Sequence, residues 1–114
     1  MEFEVKDVKK IEDGVHDGEI TRIEYRTEPF NYTDVFIKSG DFELKVGYPS
    51  SVSVKSSLGL LLMEFGVKLE VGTKINPETI LTGQKVKFQT RTNREGYAEI
   101  IKGSVKPLKL DVGI

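Results

Sequence analysis

The chain has no cysteine, which excludes disulfide staples and every thiolate-ligated metal site. It has no tryptophan and only one histidine, His16. A nucleophilic triad or a histidine-based metal centre would therefore have to be built on His16 alone. No companion motif is present. There is no nucleophile elbow, no Gly-rich phosphate loop following a strand, and no His-Glu-x-x-His pattern. His16 reads as part of a turn-rich segment with Asp13 and Asp17, where a histidine beside carboxylates is ordinarily a solvated surface group. The adjacent carboxylates Glu12 and Asp13 share that polar setting, which gives no cause for a raised pKa. These absences point away from an enzyme, and toward a protein with no metal and no cofactor. No apolar run approaches the roughly 18–20 residues that span a bilayer. The first residues, Met1-Glu2-Phe3-Glu4, alternate acidic and apolar side chains and lack the form of a signal peptide. With cysteine absent as well, the expectation is a cytoplasmic protein without a membrane partner.

Strong net charge is also lacking: 17 basic and 18 acidic side chains leave −1. Nothing in that total argues for a polyanionic partner. The distribution is less even. Residues 1–31 hold five Lys/Arg against nine Asp/Glu, and residues 84–106 hold six against two. A local basic surface is compatible with the neutral sum. The richness in Glu, Lys, Val and Ile without cysteine resembles a thermophile's composition.

What is present is mostly period-two alternation, the pattern of half-buried strands. A chain of 114 residues fits one domain with its own core, and no repeat or low-complexity linker divides it. Residues 1–13 read as an N-terminal arm or strand carrying Phe3, Val5, Val8 and Ile11. Asp13-Gly14 and Asp17-Gly18 are turn signals. Residues 18–26 read as the first long strand, with Thr21, Ile23 and Tyr25 on one side and Arg22, Glu24 and Arg26 on the other. Thr27–Asn31 is a loop. Tyr32–Lys38 and Phe42–Tyr48 form a hairpin across Ser39-Gly40-Asp41, and Pro49 ends it.

The one convincing helix lies over Ser57–Phe65. Ser56 or Ser57 can cap it. Leu58, Leu61, Leu62 and Phe65 share a face, Leu60 and Met63 widen that face, and Gly66 supplies a left-handed stop. Asn76-Pro77 opens a short capped turn. Gln84–Arg91 alternates again, with Val86 and Phe88 inward and Lys85, Lys87, Gln89 and Arg91 outward. Thr92–Gly96 is a turn, Tyr97–Lys102 a final long strand, and Val105, Pro107 and Leu110 belong to a tail (107–114). Three strands, a helix and a closing hairpin give a mainly β chain. That is the order of a five-stranded OB-fold-like barrel with one helix between strands 3 and 4. An SH3-like barrel is the nearest competitor and would not need the helix.

The strand phases yield one constellation with chemical content. With Ile23, Val35, Ile37, Leu44 and Val46 inward, the outer face of the first three strands carries Arg22, Arg26, Tyr32, Phe36, Lys38 and Lys45. Aromatic rings stack on bases and Lys/Arg neutralise phosphates, so single-stranded nucleic acid is the ligand that this mixture fits. In OB-folds the face of strands 2 and 3, with the loops joining strands 1–2 and 4–5, is the usual binding surface. Here those loops are Thr27–Asn31, carrying Phe30, and Arg91–Gly96, carrying Arg91 and Arg94. Glu24, Asp34 and Glu43 share the face and oppose phosphate.

The run Gly66, Gly72, Asn76-Pro77, Leu81-Thr82-Gly83-Gln84-Lys85-Val86, Gly96-Tyr97 and Ile100 resembles small single-stranded-DNA-binding proteins of phages and archaeal viruses. The resemblance covers about residues 15–106. It departs from the family pattern in a Leu-x-Gly-Lys-like turn one residue longer, and in a tail where Lys109 and Asp111 nearly balance in place of an acidic stretch. It implies binding of single-stranded DNA, or of RNA, with little sequence preference. The alternative expectation is a protein-interaction or assembly module that pairs through its sheet edges, its N-terminal arm or the apolar Val112 and Ile114, as in a homo-oligomer.

Overall fold

The computed structural model describes residues 1–4 and 11–108. The expectations for Val5, Val8, Leu110, Val112 and Ile114 lie outside the described residues. Along the chain run β1 (Gly14–Arg26), β2 (Tyr32–Ser39), β3 (Phe42–Pro49), α1 (Ser57–Glu64), α2 (Pro77–Leu81), β4 (Lys85–Thr92), β5 (Ala98–Ile100) and β6 (Lys106–Pro107).

The first strand is longer than its sequence suggests. Both Asp-Gly pairs read as turns, yet β1 starts at Gly14 and passes straight through Gly18. The reason is close packing rather than a reversal of the chain. A Cβ at Gly18 would lie 2.7 Å from the Lys38 carbonyl oxygen, 2.8 Å from Ile37 Cγ2 and 3.0 Å from Phe88 Cε1. Only glycine leaves room for β2 and β4 to approach β1 at this point. The strand serves both neighbours in turn. Its first half, Gly14–Glu19, pairs with β4, and its second half, Glu19–Arg26, pairs with β2.

A register shift between Ile20 and Arg22 separates the two halves. This β-bulge resets the alternation, so Ile20 and Ile23 are both buried. Thr21 is the extra residue, and its hydroxyl donates to the Phe36 carbonyl at 3.4 Å. Of the expected grouping of Thr21, Ile23 and Tyr25 on one side, Thr21 is displaced by the bulge, while Ile23 and Tyr25 stay in phase opposite Val35 and Thr33. Tyr25 reaches solvent at the strand end, 53% exposed.

β2 and β3 pair antiparallel from Tyr32↔Pro49 to Ser39↔Phe42, with Gly40 at φ 59° in the turn. Tight hairpins favour this conformation because it matches the twist of the strands. The path of hydrogen-bonded strands is β3-β2-β1-β4-β5. Its ends, β3 and β5, come into contact, giving the nearly closed five-strand antiparallel barrel expected from the element order. The closing strand is shorter than the Tyr97–Lys102 alternation implies, with only Ala98–Ile100 in the ladder. The stretch read as tail is partly structural. Val105 is buried, and Lys106–Pro107 pairs with Val86–Lys87 as β6.

α1 packs into the barrel through Leu58, Leu61 and Leu62. The Ser56 hydroxyl caps it, accepting from the Gly59 N–H at 3.0 Å. At the other end Gly66, at φ 84°, donates to the Met63 carbonyl at 3.0 Å. Leu60 does not widen the buried face as expected: it is 51% exposed. One turn of helix, α2, follows. Asn76 caps it by accepting from the Thr79 N–H at 3.4 Å, and Pro77 is its first residue. Leu81 from α2 completes the core beside Val86 and Phe88. Among the described residues no helix is long and apolar enough to cross a membrane.

Gly59 provides a test of this packing. Alanine in an open helix is worth about 1 kcal/mol over glycine. At position 59 its Cβ would overlap the Ser53 carbonyl oxygen and lie 2.8 Å from the capping Ser56 Oγ. Gly59→Ala is therefore expected to destabilise the protein by about 1–3 kcal/mol, seen as a lower urea midpoint. A higher midpoint would mean that the Ser53–Ser56 turn does not rest on the helix.

Candidate nucleic-acid interface

The register fixes which side chains share the outer face of β1, β2 and β3. One cross-strand row is Arg22, Phe36 and Lys45. The next is Glu24, Asp34 and Gly47, followed by Arg26, Tyr32 and Pro49. At the opposite end Lys38 lies between Glu19 and Glu43. Six of the nine candidate residues, Arg22, Arg26, Tyr32, Phe36, Lys38 and Lys45, are thus brought onto one surface.

Their arrangement is more ordered than a list of residue types conveys. The Arg22 guanidinium carbon stands 3.8 Å from the centroid of the Phe36 ring, and that of Arg26 stands 4.8 Å from the Tyr32 ring. Both distances are those of cation–π pairs. Carboxylates hold each guanidinium in place. Arg22 donates through Nε to Glu24 at 3.1 Å and through Nη1 to Glu43 at 2.8 Å. The bonds to Glu24, then to Glu43, raise the Arg22 pKa above its ordinary value, so its charge is permanent.

Arg26 makes a two-pronged pair with Asp34, Nε to Oδ2 at 2.6 Å and Nη2 to Oδ1 at 3.1 Å. Asp34 is 2% exposed although its strand phase points it outward. Gly47 makes this possible: a Cβ there would lie 3.0 Å from Asp34 Oδ1 and 3.4 Å from Arg26 Nη2. The pair passes close to the glycine.

The face is consequently charge-balanced. Arg22, Arg26, Lys38 and Lys45 oppose Glu19, Glu24, Asp34 and Glu43. Among the described residues no ion pair engages Lys38 or Lys45, whereas Glu19 also meets Lys85.

The remaining three candidates lie elsewhere. Phe30 is 70% exposed in the β1–β2 loop, next to the Arg26–Tyr32 row. Arg91 is in the β4–β5 ladder opposite Glu99, to whose carboxylate its Nε donates at 2.8 Å. Arg94 is exposed in the turn that follows. The Asn93 side-chain oxygen shapes that turn by accepting from the N–H groups of Glu95 and Tyr97, each at 3.0 Å. β4 pairs with the first half of β1 and the stacked face uses the second, so the two groups occupy different parts of the barrel.

Two exposed aromatics were not singled out from sequence. Tyr25, directly before the β1–β2 loop, and Tyr97, directly after the β4–β5 turn, are 53% and 60% exposed. Their position beside loop signals is the clue that strand alternation overrides. His16 lies on β1 instead of in a turn. Its Nε2 is 2.6 Å from the Glu12 carbonyl oxygen, and its ring lies 5.8 Å from that of Phe88.

No protein-family model matches the chain, and no curated protein is significantly similar to it in sequence.

The two arginines carry different energetic weight. Removing Arg26 strands a buried carboxylate, whereas the partners of Arg22 are about half exposed. Arg26→Met is expected to cost about 2–3 kcal/mol, below the range for a wholly buried pair because Arg26 is itself 40% exposed. Arg22→Met should leave the denaturation midpoint unchanged within error. Equal effects of the two variants in urea melts would contradict the burial of Asp34.

Proposed function

We propose that this chain binds single-stranded nucleic acid, DNA before RNA, with little sequence preference, and that it is not an enzyme. One observation carries the reading. On one outer face of an OB-fold-like barrel, two guanidinium–aromatic stacks are flanked by two lysines that have no ion pair among the described residues. A base has a π face whatever its identity, and it stacks on an arginine plane as well as on a ring. In this arrangement Arg22 over Phe36 and Arg26 over Tyr32 form the platforms. Their carboxylate partners hold the guanidiniums over the rings. Lys38 and Lys45 supply the phosphate contacts, and Phe30 extends the aromatic surface at the β1–β2 loop.

The charge balance sets the expected behaviour. With two unpaired cations available on this face, log affinity should fall against log salt with a slope of about −1.4. That is shallow for a nucleic-acid binder and consistent with stacking as the larger contribution. Anisotropy titration of labelled oligo-dT at several salt concentrations measures this slope. Phe36→Ala and Tyr32→Ala are each expected to weaken binding by about fivefold to a hundredfold, with the fold checked by circular dichroism. Lys45→Glu, a change at an exposed site, should weaken it without touching the core. No binding at about 100 µM protein in low salt would overturn the proposal.

A second reading, an assembly module, is favoured by the barrel seam. Among the described residues β3 and β5 end the hydrogen-bonded path with no ladder joining them, which gives β3 an edge that a strand from a second copy can pair with. Light scattering distinguishes the two: a stable oligomer indifferent to oligonucleotides supports assembly.

A further inference from the structure

The spacing of the two stacks constrains what can lie across them. Phe36 and Tyr32 are four residues apart on β2, about 13 Å along a strand. Neighbouring bases stacked on one another are only about 3.4 Å apart. Two adjacent, mutually stacked bases therefore cannot occupy both platforms, and at least one nucleotide must bridge them. That nucleotide crosses the middle row of the face, formed by Glu24, Asp34 and Gly47.

Of that row only Glu24 presents a side chain to solvent. Gly47 has none, and Asp34 is buried with both carboxylate oxygens taken by Arg26. The Glu24 side chain is 55% exposed. Its Oε1 accepts from Arg22 Nε at 3.1 Å, whereas among the described residues no hydrogen bond reaches its Oε2. The bond to Arg22 thus ties an acceptor with spare capacity to a position between the two platforms. A carboxylate repels phosphate and the carbonyl edge of a base, and accepts from an exocyclic amino group. Cytosine, adenine and guanine carry such a group. Thymine and uracil present the O4 carbonyl in its place.

We infer that Glu24 reads the base that bridges the two stacks, and that the face prefers an amino-bearing base at this one position over thymine or uracil. The inference rests on the nucleic-acid reading of the face. It adds a single point of selectivity to a surface whose stacking platforms accept any base. Glu24 is then more than a clamp for Arg22: one oxygen orients the guanidinium and the other meets the ligand.

The test is competition by unlabelled pentanucleotides against labelled oligo-dT on the full chain in low salt, read by anisotropy. The competitors carry thymidine throughout, a single cytidine at the centre, or a single cytidine at the 5′ end. A terminal base has a neighbour on one side only and cannot bridge. The central cytidine is expected to tighten binding about fivefold, and the terminal one to bind like thymidine throughout. In Glu24→Gln the three competitors should become equal, because an amide donates to the thymine O4 as well as accepting from an amino group. Glu43→Gln also removes a carboxylate from Arg22 but lies outside the middle row, so the preference should survive it. The inference is overturned, with the stacked-face reading intact, if the wild-type chain binds all three equally. It is overturned in the same way if the terminal cytidine does as well as the central one, or if the preference persists in Glu24→Gln. Failure of the labelled oligo-dT itself to bind overturns the stacked-face reading, and this inference with it.

Discussion

The architecture depends on one strand serving two ladders. β1 pairs with β4 through Gly14–Glu19 and with β2 through Glu19–Arg26. A flat strand cannot do this in a small barrel, because the sheet must curl through a large angle over few residues. Gly18 removes the side chain at the point of closest approach, and the bulge after Ile20 adds local twist. Together they let Ile20 and Ile23 face the same interior even though they are three residues apart. β2, β3, β4 and α1 all depend on that bend. Phe88 of β4 and Ile37 of β2 meet over Gly18, and α1 with Leu81 fills the space that the curled sheet encloses.

The bend also builds the outer face. Beyond the bulge Arg22, Glu24 and Arg26 project outward in step with Phe36, Asp34 and Tyr32 of β2. Without the reset, the same residues would be offset by one and the arginines would point toward the core. The two stacks are thus consequences of register. Arg22 finds both an aromatic plane and two carboxylates because the cross-strand neighbours on an antiparallel face are close enough to touch.

Much of the fold was legible because it rests on local signals. Ser56 as cap, the Leu58–Leu61–Leu62 stripe, Gly66 as stop and Asn76-Pro77 as a second start all act within a turn of helix. The clean alternation in β3 and β4 needed no tertiary information. What stayed hidden depends on contacts between distant segments. Gly18 carries a turn signal in its sequence, and it is the Lys38 carbonyl, Ile37 and Phe88 that make it a packing glycine. Gly59 sits inside a helix where its sequence offers no reason for it, and the reason is the Ser53 carbonyl above it. On the candidate face the residue types were readable from phase alone. Their pairing was not, since Glu43 reaches Arg22 only through the β2–β3 register and Asp34 is buried only because position 47 lacks a side chain.

That pairing bears directly on how such a face would recognise a ligand. Lone arginines on a basic patch attract phosphate at long range, and their binding falls steeply as salt displaces the counterions. Arginines already neutralised by Glu24, Glu43 and Asp34 lose most of that reach and gain orientation. Each guanidinium is held over a ring by its carboxylates, so a base arriving on it gives up little further conformational freedom on the protein side. Phosphate contact then falls to Lys38 and Lys45, whose ammonium groups are mobile point charges suited to a flexible backbone. On the proposed reading the carboxylates that seem to oppose a polyanion are what make the surface a stacking platform. On the same reading this surface would disfavour duplex DNA, which presents charge at high density and hides its base faces.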